Sequence, residues 1–300
     1  MGAAGRIILG SRGSDLALAQ VRLVEQTLRS AWPDLEVTLE VIRTSGDEGG
    51  QEVVRDRKAG RKGMFTREIE KQLIVGRIDL AVHSAKDLPS EKMEELTLGA
   101  VLPRGRVGDV LITRDGLGLT DLPEGATVAT GSVRRQYQLR AQRPDVSVVD
   151  LRGNVPTRLR KLGENGDWSG IILARVGLER LGIEAKMEDL SLQDFVPAGG
   201  QGVIALQIRR DDERLQRLLA AINHVPTWLS LRAEREFLRL LDGDCDSPVG
   251  VHATIAEENL HLQAQVFAEE PGGPRVGLVV GDSTKPETVA GHLMEKLYGK

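Results

Sequence analysis

Short apolar runs alternate with segments of helical spacing along the first two thirds of the chain. The run RIILG at 6–10 predicts a strand, and the apolar residues between Asp15 and Trp32 recur at helical intervals. The same order returns at ATVAT (126–130), VSVVDL (146–151) and GIILA (170–174), each followed by a polar turn and a helical segment. Repeated strand, turn and helix units predict parallel sheets covered by helices on both faces, which is the doubly wound α/β class.

The segment 44–63 interrupts this pattern. It is charged and glycine-rich, which predicts a loop between a strand at 35–43 and a helix that begins at Met64. The apolar stretch in RIDLAVHSAKDLPS predicts a buried strand that runs into a loop closed by Pro89.

From about residue 225 the pattern changes to that of a separate α+β unit. WLSLRAEREFLRLL has helical spacing, three alternating segments follow (VGVHATIA, LHLQAQVFAEE and RVGLVVGD), and the chain closes with a helix at 285–298. The alternation predicts a three-stranded antiparallel sheet. The single cysteine, Cys245, lies on the predicted loop at the start of this unit, among three aspartates.

Composition narrows the class of protein. The 300 residues are 40% hydrophobic, which predicts two or three folded domains, and no run of 18 apolar residues occurs, which predicts a cytoplasmic protein without membrane contact. A net charge of −4 and 3% aromatic residues disfavour nucleic acid as a partner. One cysteine excludes an intrachain disulfide and a four-thiolate zinc site, and the five histidines show no metal-binding spacing, so we expect no metal.

Cations collect where the predicted strands end. The carboxyl ends of parallel strands are where doubly wound folds bind ligands. Any one of these side chains fits an ordinary solvated helix face, but their recurrence predicts a site for a polyanion. The chain has neither a Walker loop nor a G-x-G-x-x-G motif, which favours a polycarboxylate over a nucleotide. The cations concerned are Arg12, Lys86, Arg134, Arg135, Arg152, Arg158, Arg175 and Arg180.

One acid stands among these cations. Asp87 follows Lys86 directly after the strand that ends in HS. It fits a turn cap, and it equally fits a carboxylate that moves protons and stabilises a cation forming on a bound substrate. The carboxylates around Cys245 disfavour an activated thiolate, so a cysteine hydrolase is a weak alternative.

In these motifs the chain resembles the porphobilinogen deaminase family. H-S-x-K-D, T-x-S-x-R-R and R-G-N-x-x-T-R-L, in that order, are the most specific elements, whereas the C-terminal strands match in pattern alone. The matching stretches are GSRGSDLALAQ, RKGMFTREIE, AVHSAKDLPS, TGSVRRQYQL, LRGNVPTRLRKL, IILARVGLERLG, VPAGGQGVIALQ and DCDSPVG.

The resemblance implies two doubly wound domains like those of periplasmic binding proteins and a small C-terminal α+β domain. The implied boundaries are 1–103 with 200–221, 104–199, and 222–300. It also implies a monomer with hydroxymethylbilane synthase activity. This activity condenses four porphobilinogen units, with loss of ammonia, onto a covalent dipyrromethane primer, and then releases the linear tetrapyrrole by hydrolysis. A solute-binding module or anion sensor of the same fold stays open as an alternative, because fold alone does not separate the two.

The family's functional positions carry over residue by residue. The resemblance implies that Cys245 bears the primer and that Asp87 is the catalytic acid. The positions that hold the primer's carboxylates are Lys86, Ser132, Arg134, Arg135 and Arg158, and those that bind substrate or the growing chain are Arg12, Ser14, Phe65, Arg152 and Arg180. Two residues depart from the family pattern: Asp244 replaces a common glycine before the cysteine, and Gly131 replaces a small hydroxyl residue.

Overall fold

The computed structural model describes residues 5–44, 60–89, 93–241, 248–268 and 273–299, with residues 60–65 described by their backbone. The strands are β1 (Arg6–Ser11), β2 (Glu36–Val41), β3 (Leu80–Ser84), β4 (Leu96–Val101), β5 (Asp109–Thr113), β6 (Thr127–Ala129), β7 (Ser147–Val149), β8 (Gly170–Ala174), β9 (Met187–Asp189), β10 (Ile204–Arg209), β11 (Val249–Ala256), β12 (Asn259–Val266) and β13 (Arg275–Asp282). The α-helices are α1 (Asp15–Ala31), α2 (Gly60–Ile74), α3 (Val133–Gln142), α4 (Val155–Glu164), α5 (Arg175–Leu181), α6 (Glu213–Ala220), α7 (Val225–Leu240) and α8 (Pro286–Tyr298).

Two five-stranded sheets share one topology. The first has the strand order β2-β1-β3-β10-β4 and the second the order β7-β6-β8-β5-β9. In each sheet three strands run parallel, and the fourth strand in the order is antiparallel to both of its neighbours. The prediction of an α/β fold is confirmed. The predicted parallel pairing holds for three strands of each sheet, whereas β10 and β5 run antiparallel to their neighbours.

The position of β10 ties the two sheets together. This strand follows the second sheet in the chain, yet it pairs with β3 and β4 of the first sheet. The chain therefore crosses between the sheets twice, first through residues 102–108 and again through residues 190–203, which precede β10. The two crossings touch, since the amide of Gly105 donates to the carbonyl oxygen of Gly202 at 3.1 Å.

Apolar faces of the helices explain how the first sheet is covered. Val21, Val24 and Leu28 of α1 recur at helical spacing and bury their side chains against Ile7 and Leu9 of β1. On the other face, α2 places Ile69 and Leu73 in a second apolar cluster with Ile42 and Ile78. A sheet covered on both faces leaves the strand ends as the open edge for a ligand.

The C-terminal unit has the predicted form. The antiparallel sheet has the order β11-β12-β13, and α7 and α8 pack on one of its faces. Phe237 of α7 and Leu293 of α8 are fully buried in its core. The predicted loop at 44–63 is shorter at its C-terminal end, because α2 already begins at Gly60, and residues 45–59 lie outside the described residues.

Candidate active site

A cleft opens at the carboxyl ends of β1 and β3, between α1 and α2. It is lined by Ser11, Arg12, Ser14, Leu16, Ala17, Gln20, Thr66, Ile69, Val82, His83, Ser84 and Asp87. The Ser14 hydroxyl caps α1 by accepting from the amide of Ala17 at 3.4 Å, so this turn presents Arg12 and Ser14 to the cleft. Arg12, Ser14 and Asp87, three of the predicted site residues, thus share one cavity.

A short 3₁₀ turn, Ala85–Asp87, follows β3 and carries Lys86 and Asp87. The second crossing holds this turn in place: the Ala85 amide donates to the carbonyl oxygen of Val203 at 3.0 Å. Gly200 has a φ of +78°, and a Cβ there would lie 2.9 Å from the backbone of Ala85 and of Lys86. Glycine is therefore required where the crossing passes the turn.

Lys86 connects this turn to the second lobe. Its Nζ donates to Oε1 of Gln201 at 3.4 Å, and Nε2 of Gln201 donates to Oδ1 of Asp109 at 2.8 Å. Burial lowers the pKa of Lys86 to about 8; Arg135 acts in the same direction, and Asp87 opposes both. The nearby charges place Lys86 beside the arginines of α3.

Arg134 and Arg135 are both buried at the start of α3, with exposed fractions of 4% and 5%. Asp109 at the start of β5 binds both: its Oδ2 accepts from Nη1 of Arg134 at 2.8 Å, and its Oδ1 from Nη2 of Arg135 at 2.7 Å. The two guanidinium groups hold the pKa of Asp109 far below its usual range against the opposing effect of burial. One carboxylate balances two buried cations, which leaves net positive charge at this point.

Each of these guanidinium groups also has an unused donor. The Nε atoms of Arg134 and Arg135 are buried and have no hydrogen-bond partner within the described part of the chain. A buried polar group without a partner costs about 1–3 kcal/mol, and more when it is charged. The donors and the excess charge fit a ligand that brings several carboxylates.

Arg158 and Arg152 extend the same cluster. Burial lowers the pKa of Arg158 to about 10; Arg135 and Arg152 act in the same direction, and Asp87 opposes them. Arg152 is more exposed and pairs with Asp150, Nε to Oδ2, at 2.6 Å. Both arginines therefore lie close enough to the rest of the cluster for their charges to interact.

Ser132 lies at the N-terminus of α3, where its side chain makes no capping hydrogen bond to the helix. Gly131 precedes it, and a Cβ at that position would lie 2.6 Å from the carbonyl oxygen of Leu151. The absence of a side chain at this departure from the family pattern thus matches the local packing.

Arg180 of α5 contacts the second crossing, where its Nη2 donates to the carbonyl oxygen of Gly202 at 2.7 Å. Burial lowers the pKa of Arg180 to about 10.

At three predicted positions the side chains lie outside the described residues. Cys245 and its neighbour Asp244 fall outside the described residues, as does the side chain of Phe65, whose backbone belongs to α2. Their roles stay predictions.

Sequence reasoning missed the acids that organise the cations. Asp109 begins an apolar strand, and an acid at the edge of a buried run is the one signal that could have found it. Glu234 on α7 is fully buried and binds Arg104 of the first crossing, Oε1 to Nη1, at 2.6 Å. The same carboxylate accepts from the backbone amides of Gly200 and Ala253, each at 2.7 Å. Glu234 thereby joins the C-terminal unit to both crossings.

The wall of the cleft holds neutral polar groups that sequence reasoning also missed. The hydroxyl oxygens of Ser11 and Thr66 are buried without a hydrogen-bond partner in the described residues. His83 is buried and its Nε2 lies 3.0 Å from Oε1 of Gln207, whose Nε2 donates to Glu70 at 3.1 Å. Burial lowers the pKa of His83 to about 4, so its imidazole is neutral at pH 7.

Within the described ranges, no group of three or more His, Cys, Asp or Glu side chains could hold a metal ion. No helix there has the length and apolar character that crossing a bilayer requires.

The fold and the cluster define a two-lobed α/β protein with a buried cationic cluster that suits a polycarboxylate. The sequence profile of "Porphobilinogen deaminase, dipyromethane cofactor binding domain" matches residues 7–217, and that of "Porphobilinogen deaminase, C-terminal domain" matches residues 228–299. The chain belongs to the porphobilinogen deaminase family. The domain at 7–217 accordingly binds a dipyrromethane cofactor, which the unused buried donors of Arg134 and Arg135 fit.

Curated relatives agree over most of the chain. A porphobilinogen deaminase of Syntrophomonas wolfei is 46% identical over 86% of this chain and 84% of its own length. Those of Roseiflexus sp. and Moorella thermoacetica are 43% and 42% identical, over 97% and 98% of this chain and 95% and 93% of their own lengths. Among solved structures, the methionine-binding protein MetQ matches with a TM-score of 0.44 and 12% identity, over 72% of this chain and 89% of its own.

Proposed function

We propose that Lys86, Arg134, Arg135 and Arg158 bind the carboxylates of the dipyrromethane cofactor while Asp87 serves the chemistry beside them. The activity is that of the family, hydroxymethylbilane synthase: four porphobilinogen units are joined with loss of ammonia, and the linear tetrapyrrole of tetrapyrrole biosynthesis is released by hydrolysis. The single observation that carries the proposal is the buried cluster in which one carboxylate, Asp109, balances two arginines beside Lys86 and Asp87.

The proposed binding of the cofactor's carboxylates rests on the positive charge of these residues and on the hydrogen-bond donors of two of the arginines. Each pyrrole of the cofactor carries two carboxylates, and a guanidinium group binds a carboxylate through two parallel hydrogen bonds. The Nε donors of Arg134 and Arg135 have no other partner in the described residues, and Ser132 adds a hydroxyl at the start of α3. When bound, the cofactor supplies the unsubstituted pyrrole carbon to which porphobilinogen is joined. Cys245 is its covalent anchor in this proposal, as the family resemblance implies.

Asp87 acts where positive charge develops. Loss of ammonia from porphobilinogen leaves a cation shared with the pyrrole nitrogen. A carboxylate that accepts the pyrrole N–H hydrogen bond stabilises that cation, and it can receive the proton released when the new bond has formed. The interactions of Asp87 with Lys86 and Arg158 support this position at the centre of the cationic cluster.

The remaining predicted residues serve the substrate and the growing chain. Arg12 and Ser14 line the cleft beside Asp87, Arg152 borders the cluster, and Arg180 lies at the crossing. Phe65 shields the site in this proposal. Because each addition brings two more carboxylates, cations spread over both lobes can receive them in turn.

The proposal includes the organisation of the chain. Domain 1 comprises 1–103 and 200–221, domain 2 comprises 104–199, and domain 3 comprises 222–300. The membership of β10 in the first sheet supports the discontinuous first domain. The protein works as a cytoplasmic monomer on a small molecule, without nucleic acid or membrane partners.

The Asp87→Asn variant tests the catalytic role. It should fold, keep its cofactor and lose most of its turnover of porphobilinogen, by about 10²-fold or more, because the amide cannot stabilise the cation or take the proton. Turnover is measured as consumption of porphobilinogen, and the cofactor by its colour with Ehrlich's reagent. Asp211→Asn, at an exposed position, is the matched control and should keep full activity. Turnover of Asp87→Asn equal to that of the control would remove Asp87 from the mechanism.

A further inference from the structure

We infer that the hydroxyls of Ser11 and Thr66 form the subsite for the aminomethyl nitrogen of porphobilinogen, the group that leaves as ammonia. The inference rests on the proposed function and assigns a part of the cleft that the carboxylate-binding residues leave unexplained. Both residues line the cleft that also contains Asp87.

Geometry provides the first argument. Ser11 ends β1 and Thr66 lies in the first half of α2, so the cleft receives them from two different elements. Each residue is only 1% exposed, and each hydroxyl oxygen lacks a hydrogen-bond partner in the described residues. By contrast, the nearby Ser84 hydroxyl is satisfied by Gln20 at 2.8 Å. Buried hydroxyls are normally satisfied, which points to a ligand as the missing partner.

Charge decides which group of the substrate fits. Arg12 is the one cation among the described residues that line this cleft. His83 on the same wall is neutral, because its buried imidazole does not take up a proton until the pH is near 4. The cluster of Lys86, Arg134, Arg135 and Arg158 attracts carboxylates and repels an ammonium group. The hydroxyls of Ser11 and Thr66 line the cleft that contains Asp87, which those four cations do not line. They are therefore the part of the site that offers an ammonium group hydrogen-bond acceptors.

The chemistry balances at this subsite. Porphobilinogen binds with a protonated aminomethyl group, and the hydroxyl oxygens accept its N–H hydrogen bonds. The carbon–nitrogen bond breaks, and its electron pair leaves with the nitrogen as neutral ammonia. The positive charge stays on the pyrrole, as the cation that Asp87 stabilises. Ammonia takes up a proton after it reaches water, and no oxidant or further reactant is involved.

The test compares two ligands in three variants, Ser11→Ala, Thr66→Val and the double variant. Porphobilinogen carries the leaving group, whereas its analogue with methyl in place of aminomethyl keeps both carboxylates but has no nitrogen there. We expect kcat/KM for porphobilinogen to fall about tenfold in each single variant, since a hydrogen bond to a charged group is lost. The inhibition constant of the methyl analogue should stay within about twofold of wild type, because the analogue never used the hydroxyls.

The control is Thr113→Val, which removes a buried threonine hydroxyl bonded to the carbonyl oxygen of Leu117, away from the cleft. It should leave both ligands unaffected. Equal weakening of porphobilinogen and the methyl analogue, or unchanged kinetics in the double variant, would overturn the inference while the proposed function stands. A wild-type protein that does not consume porphobilinogen would overturn the proposed function and, with it, the inference.

Discussion

At the scale of single residues, Asp109 is what allows two adjacent arginines to be buried. Consecutive positions on a helix point about 100° apart, and two buried guanidinium groups without a counter-ion would be strongly unfavourable. Asp109 offers one oxygen to each arginine, and the side chain of Gln201 donates to the same carboxylate. Lys86 joins the group through Gln201, so a small network with excess positive charge lies ready for an anion.

The lowered pKa of Lys86 leads us to expect a pH dependence of ligand binding. Its pKa is lowered to about 8, so in the ligand-free protein it loses its charge as the pH rises through that value. Carboxylates bind the protonated amine. In Cys245→Ser protein, which has no covalent anchor for the cofactor, porphobilinogen serves as the carboxylate ligand for the cofactor-binding residues, and its affinity should decline above pH 8, approaching about tenfold per pH unit. Calorimetric titration between pH 7 and 9 measures it.

The matched variant for this prediction is Lys86→Arg. An arginine keeps its charge over the same pH range. The affinity of the Lys86→Arg variant for porphobilinogen should therefore change far less between pH 7 and 9. If Lys86→Arg reproduces the pH dependence of the parent protein, another group is responsible and Lys86 does not bind the carboxylate.

At the scale of elements, the two crossings and α7 form the junction between the lobes. Arg104 of the first crossing donates through Nε to the carbonyl oxygen of Gln201 in the second, at 2.8 Å. Its other nitrogens bind Glu234 of α7, and Glu234 in turn accepts backbone amides from the second crossing and from β11. One buried ion pair thus links the helix that leads to Cys245 with the segments that position Lys86.

Breaking this junction should destabilise the fold. In Glu234→Gln, Arg104 stays buried with its charge unbalanced, which predicts a loss of about 3–5 kcal/mol in the free energy of unfolding. Guanidinium chloride denaturation measures the loss. Glu295→Gln, at an exposed position on α8, is the control and should change stability by less than about 0.5 kcal/mol. A stability of Glu234→Gln equal to that of the control would mean that the ion pair does not hold the junction.

At the scale of the whole molecule, periodicity was enough to predict the α/β class of the first two thirds, the separate α+β unit after about residue 225 and most of the elements. The strand at 170–174, for example, and the helix after it have the predicted bounds within a residue or two. The antiparallel insertion of β10 was not predictable from periodicity, because apolar alternation carries no information on strand direction or on distant pairing. The roles of Asp109 and Glu234 were not predicted for a related reason. Their arginine partners are 25 and 130 residues away in the sequence, and periodicity carries no information on such distant pairs.

The predicted site residues belong to local motifs, which sequence patterns can identify. HSAKD and GSVRR each put charged side chains directly after a strand, and Lys86 of the first motif lies close enough to Arg135 of the second for their charges to interact. The hydroxyls of Ser11 and Thr66 carry no such signal. Their significance depends on burial without a partner, which only the packed structure reveals.

In the proposed function the cationic cluster of Lys86, Arg134, Arg135 and Arg158 serves a cofactor attached to Cys245. Intact-mass spectrometry of the purified protein, before and after brief exposure to porphobilinogen, tests it most directly. We predict a mass above that of the sequence by two pyrrole units, further steps of one unit after exposure, and loss of both additions in Cys245→Ser. A mass equal to that of the unmodified chain, from cells supplied with porphobilinogen, would exclude a cofactor on Cys245 and favour an anion-binding module of the same fold.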